Sequence, residues 1–127
     1  MKPDIKGLEK LAAHLRQVPR KEFEVDTWFD ETPCGTKACI AGHAALLFPS
    51  RLKRVMYEEW ENSKYYEVTN RKTGTIDEIA FADAFRIDRE DAIDLCLMHP
   101  NENSTPKKAA KAVDKLVAKL TKEMKVK

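Results

Sequence analysis

Apolar positions near the start of the chain return every three or four residues: Ile5, Leu8, Leu11, Ala12 and Leu15, divided by charged and polar neighbours until Pro19 interrupts them. A single stripe on the 3.6-residue period predicts an amphipathic helix, with Asp4 placed to cap it and Pro19 to stop it. The period then shortens to two. Phe23, Val25, Thr27 and Phe29 alternate with Glu24, Asp26 and Trp28, which suits a short strand with Trp28 on its opposite face.

The stretch "PCGTKACIAGHAALLF", residues 33–48, opens with a turn signalled by Pro33 and Gly35 and offers Thr36 as an N-cap. A helix from about Lys37 to Phe48 is expected, and because "CIAGHAALLF" carries no charge it reads as the central helix of the core. Pro49 ends it. Ser50 can cap a third helix, in which Leu52, Val55, Met56 and Trp60 form the inner stripe and Arg51, Lys53, Arg54, Glu58 and Glu59 the outer face. "KYYEVTNRKTGT" predicts a second strand, able to pair with the one near Phe23, and a loop in which Gly74 permits a positive backbone angle.

Thr75 and Glu78 have the spacing of a capping box ahead of Ile76, Ile79, Ala82 and Phe85. Asp88 can cap a further helix, with Ile87 and Ala92 as its hydrophobic staple and Leu95, Cys96 and Met98 following. After the polar loop "HPNENSTP", Thr105 as cap and Pro106 in the first helical position open the last helix, whose stripe is Ala109, Val113, Leu116, Val117, Leu120 and Met124. The expected fold is mainly α: a compact bundle of about six helices with at most a small two-stranded β element. It forms a single helical domain over residues 1–127, with a basic C-terminal helix at about 106–124.

With 43% hydrophobic and 35% charged residues in 127, the composition is that of one globular domain rather than a disordered chain. No apolar run is long enough to span a bilayer and "MKPDIKGLEK" has no apolar block of a signal peptide, so a cytoplasmic protein without membrane contact is expected. An odd count of three cysteines argues for reduced thiols over a disulfide framework, although Cys34 and Cys39 can meet under oxidation. Charge is unevenly spread. From Thr105 onward, eight lysines against Asp114 and Glu123 leave +6, and therefore −4 on the rest of a chain whose net charge is +2.

Three chemistries compete for the cysteine-rich stretch. Cys39 in the first turn of a helix, with His43 four residues on, has the placement of a nucleophile beside its base. "CGTKAC" even resembles the Cys-Gly-Ser-Cys-Trp start of papain-like peptidases, but the glutamine that supplies their oxyanion donor has no counterpart, Gln17 being the only one. The apolar setting also raises a thiol's pKa rather than lowering it. Zinc is the second possibility: Cys34, Cys39 and His43, with Cys96 or His99, make a soft four-ligand set, though at spacings unlike those of common zinc sites. The third, preferred here, is architectural, with no metal or cofactor. Cys39 and Cys96 are then small core residues, Gly42 a point of close helix approach and His43 a partly buried, hydrogen-bonded side chain. His14 falls on the polar side of the first helix, and His99 at a helix end can meet the last carbonyls. Trp28 and Trp60 suit either the core or a contact surface.

Lysines at 107, 108, 111, 115, 119 and 122 make the last helix a candidate for binding anions. A nucleic-acid-binding protein is one alternative, since "FADAFRI" and "DREDAIDLC" have a helix-turn-helix rhythm; Asp88, Glu90, Asp91 and Asp94 on the second of those helices would repel DNA. A membrane role is disfavoured because the lysine helix lacks an aromatic residue for the headgroup region.

Taken in order, "FEVDTWF", "CGTKACIAGHAALLF", "IAFADAFRIDREDAIDLC" and "STPKKAAKAVDKL" resemble a group of small proteins that recurs in tailed bacteriophages and some bacteria. Its central motif is Cys-Gly-Thr-x-x-Cys-Ile-Ala-Gly-(Trp or His)-Ala, and the likeness covers most of residues 23–117. The resemblance implies an architecture and a phage setting but no mechanism. The expected function is therefore a small non-enzymatic interaction protein acting on a host or phage protein or on a small anionic ligand. A cysteine-dependent hydrolase or zinc protein built on Cys34, Cys39 and His43 is the remaining alternative.

Overall fold

In the computed structural model, which describes residues 2–18, 29–32, 35–37, 40–60, 63–96 and 105–126, the first helix, α1, spans Ile5–Arg16. Asp4 caps it: its Oδ1 accepts the Gly7 amide at 3.0 Å, satisfying one of the donors a helix leaves open at its start. The stripe read from the sequence is the buried face, with Leu8, Leu11, Ala12 and Leu15 fully enclosed. Their burial is worth on the order of 2 kcal/mol per leucine before entropy is counted, enough to fix which side of α1 faces inward.

Next come β1 (Phe29–Thr32) and β2 (Gly35–Lys37), then α2 (Ile40–Leu47). As its lack of charge predicts, α2 is central, packing on α1 and on the next two strands and next two helices, with Ile40 through Ala45 all buried. Strands β3 (Leu52–Trp60) and β4 (Ser63–Asn70) lead into helices α3 (Asp77–Phe85) and α4 (Arg89–Cys96), and α5 (Pro106–Val126) closes the chain. Phe81 and Phe85 on α3 meet at a tilt of 41° with 4.7 Å between centroids and pack in the core with Phe48, whose ring meets Phe85 edge-on at 5.4 Å. α5 lies along α1 and buries Ala109, Ala110, Val113, Leu116 and Leu120.

The fold is mainly helical, with five helices among the described residues and more β-structure than the sequence pattern suggested. The sheet has four antiparallel strands in the order β2-β1-β4-β3 rather than two. Residues 52–60, expected as a third helix, are strand β3, paired with β4 from Leu52↔Asn70 to Trp60↔Ser63 around a bulge between Met56 and Glu58. Leu52, Val55 and Met56 satisfy a helical spacing, but only Leu52 is buried, while Val55 and Met56 are 41% and 48% exposed. The spacing therefore had no core to face, and β4 supplies backbone partners along the whole segment. Thr36, expected as an N-cap, pairs with Glu31 in the β1–β2 ladder, and the helix begins at Ile40. The expected pairing of "KYYEVTN" with an upstream strand holds from Phe29 (Phe29↔Tyr66); Phe23 to Trp28 lie outside the described residues.

Three caps bear on the sites below. Thr105 caps α5 as expected, its Oγ1 accepting the Lys108 amide at 3.1 Å, with Pro106 in the first helical position. The Thr75–Glu78 box does not form: Thr75 instead sends its hydroxyl to Asp83 Oδ2 at 2.7 Å, and α3 starts without a side-chain cap. Arg86 ends α3 in the left-handed conformation at φ 57°, where glycine is usual, at a cost of about 1–2 kcal/mol for a residue with a Cβ.

Candidate functional site

The basic helix forms a ridge. At about 100° per residue, Lys107, Lys108, Lys111, Lys115, Lys119 and Lys122 fall within an arc of about 120° and a length of about 22 Å, and all six are exposed. The apolar stripe occupies the opposite side, packed on α1, so burying the stripe is what presents the lysines to solvent. At the N-terminal end of the ridge, Lys107, Lys108 and Lys111 share a hollow of about 530 Å³ with Arg16 and Asp114. Arg16 comes from the last turn of α1 and pairs with Asp114; both side chains are about half exposed, so the pair orients the arginine more than it stabilises the fold.

Further along, the ridge meets acid. Lys119 Nζ donates to Asp91 Oδ1 of α4 at 2.7 Å. That bond and the charge of Asp91, with smaller help from Glu123 and Asp88, hold the ammonium pKa above its usual value. One end of the ridge is thus cationic and the other carries a neighbouring row of carboxylates.

Of the cysteine and histidine positions, His43 and Cys96 lie within the described residues, whereas Cys34, Cys39 and His99 lie outside them. His43 on α2 is 4% exposed, and its Nδ1 lies 3.1 Å from Nε2 of His14 on α1, with ring centroids 5.2 Å apart. One ring donates and the other accepts, so the contact needs a neutral nitrogen on one of them. His14, expected at the surface, is half-buried by this contact. Cys96 is a buried thiol, unbridged by a disulfide. Among the described residues no three His, Cys, Asp or Glu side chains are grouped as a metal site would require.

Two carboxylates have displaced pKa values. Burial raises that of Asp4, but the Arg51 guanidinium and the Gly7 amide outweigh it and leave the group below its ordinary value. Asp77, at φ 54° in the first turn of α3, is pushed up to about 6, chiefly by burial, which outweighs the opposing bond from the Val68 amide at 3.4 Å, with smaller help from Glu67 and Glu78.

Sequence periodicity found the ridge but not Arg16 at its end or the contact between His14 and His43, because each joins residues remote in the chain. No helix among the described residues is long and apolar enough to cross a membrane. Comparison with family models, with curated proteins and with solved structures finds no match to this chain.

Proposed function

We propose that this chain is a non-enzymatic binding protein, acting in the cytoplasm without metal or cofactor, that docks an anionic partner on the lysine ridge of α5. The observation that carries the reading is the arc of six exposed lysines, with Arg16, paired to Asp114, at one end. The carboxylates of α4 beside Lys119 favour a protein partner with both signs of charge, since a uniform row of phosphates would be repelled there. In the phage setting that the sequence motif implies, that partner is a host or phage protein. A small anionic ligand in the hollow near Lys107 is the narrower form of the same reading.

Nucleic acid is the second reading, favoured by the regular run of lysines over about 22 Å, a length that can follow several phosphates. Anisotropy titrations with a fluorescent acidic peptide and with a labelled DNA duplex, from 50 to 300 mM salt, separate the two. Saturable peptide binding, abolished in a Lys107→Gln, Lys108→Gln, Lys111→Gln variant, supports the protein reading. Duplex binding with a steep salt slope and no peptide binding moves the assignment to nucleic acid. Equal behaviour of variant and parent with both probes overturns the ridge as a site.

A further inference from the structure

Arg51, Arg71, Lys72 and Arg86 come from three turns of the chain and line one cleft of about 620 Å³ beside the N-terminus of α1. The turn after β4, which carries two of them, is pinned from inside. Buried Asn70 accepts the amides of Lys72 and Thr73 on Oδ1, both at 2.9 Å, while its Nδ2 donates to the Ala80 carbonyl at 3.1 Å.

Both outer arginines are braced through Nε. Arg71 Nε donates to the Pro49 carbonyl and Arg86 Nε to the Lys2 carbonyl, each at 2.7 Å. A bond at Nε orients the guanidinium plane and leaves the two Nη groups as donors, the fork that matches two oxygens of one phosphate. Arg51 is committed elsewhere, paired with Asp4 and lying 4.7 Å over the Phe48 ring. Asp83, the one carboxylate of the lining, already accepts the hydroxyls of Thr73 at 3.1 Å and Thr75 at 2.7 Å. Among the described residues, then, Arg71, Lys72 and Arg86 form no salt bridge, although the charge of Arg86 reaches Asp4 and helps lower its pKa; the three share one cleft, where their mutual repulsion is relieved by an anion.

We propose that this cleft binds a phosphate dianion, either free phosphate or the head of a phosphate monoester, held by Arg71 and Arg86 with Lys72 at its edge. It shares no residue with the lysine ridge, so either site can fail without the other.

Isothermal titration of the protein with inorganic phosphate and, separately, with glycerol 3-phosphate tests it. One saturable equivalent is expected, weakened at least tenfold in Arg71→Gln and in Arg86→Gln and unchanged in Arg89→Gln, an exposed charge outside the lining. Arg86→Gly, which relieves the left-handed strain, is expected to unfold at the same or a higher temperature and still to lose binding, which separates the site from a folding defect. Tighter glycerol 3-phosphate identifies an ester as the ligand type, and equal or tighter inorganic phosphate identifies the free ion. No saturable heat from either probe, or equal affinity in all variants, overturns the proposal.

Discussion

Replacing Asp77 by asparagine should make the protein more stable at neutral pH and leave it unchanged in acid. Burial pushes the carboxyl up to about 6 in the folded chain, against 3.8 for an exposed aspartate, and the difference corresponds to a ceiling of about 3 kcal/mol. The folded value is the higher, so the fold accepts the protonated form. Below about pH 4 both states hold the proton and the residue costs nothing; between about pH 4 and 6 the unfolded chain releases it first and stability falls; above about pH 6 the cost is constant. Asparagine removes the charge, tolerates φ 54° and keeps an oxygen for the Val68 amide. It forfeits a favourable charge in the first turn of α3, about 0.3–1 kcal/mol, and the half-buried setting of Asp77 trims the ceiling further. A net gain of about 1–2 kcal/mol at pH 7.5 is expected, or about 1 M in the urea midpoint. Urea unfolding of both proteins at pH 3.5, 5 and 7.5 measures it. An asparagine variant that is less stable at pH 7.5, or equally stabilised at pH 3.5, would refute the reasoning.

Gly7→Ala should destabilise by about 1–2 kcal/mol although alanine is the better helix former by about 1 kcal/mol, because its Cβ would stand 2.3 Å from Asp4 Oδ2 and 2.8 Å from Cγ and drive the cap off Arg51; a rise in melting temperature would contradict this. A double-mutant cycle over His14→Ala and His43→Ala at pH 8 should show about 1 kcal/mol of coupling through the 3.1 Å contact, and strict additivity would mean the contact is energetically idle. Thr105→Ala removes the α5 cap and should cost about 1 kcal/mol in chemical denaturation without moving the ridge lysines; no loss would show that solvent serves the Lys108 amide equally well.

Features decided within one or two turns of chain were legible from the residues alone. Asp4 and the Thr105–Pro106 pair cap their helices through atoms three residues away. The stripes of α1 and α5 are buried as their periods require, and the uncharged run after Cys39 lies at the centre as it must to escape water. The lysine ridge follows from the same periodicity, since fixing the apolar face fixes the opposite one.

Tertiary structure decided what depends on a partner from elsewhere. Leu52–Trp60 satisfies a helical spacing locally, and β4 makes it a strand; Thr36 can cap a helix, and pairing with Glu31 places it in the sheet. His14 and His43 stand 29 positions apart and become neighbours because α1 packs on α2. Arg51, Arg71 and Arg86 form one cleft because a strand hairpin returns the chain beside the α2–β3 turn and α3 ends against the start of α1. Local sequence sets dihedral preferences and periods, but long-range pairing competes at energies of the same size, and the order in which elements stack around a core is not encoded in any one of them.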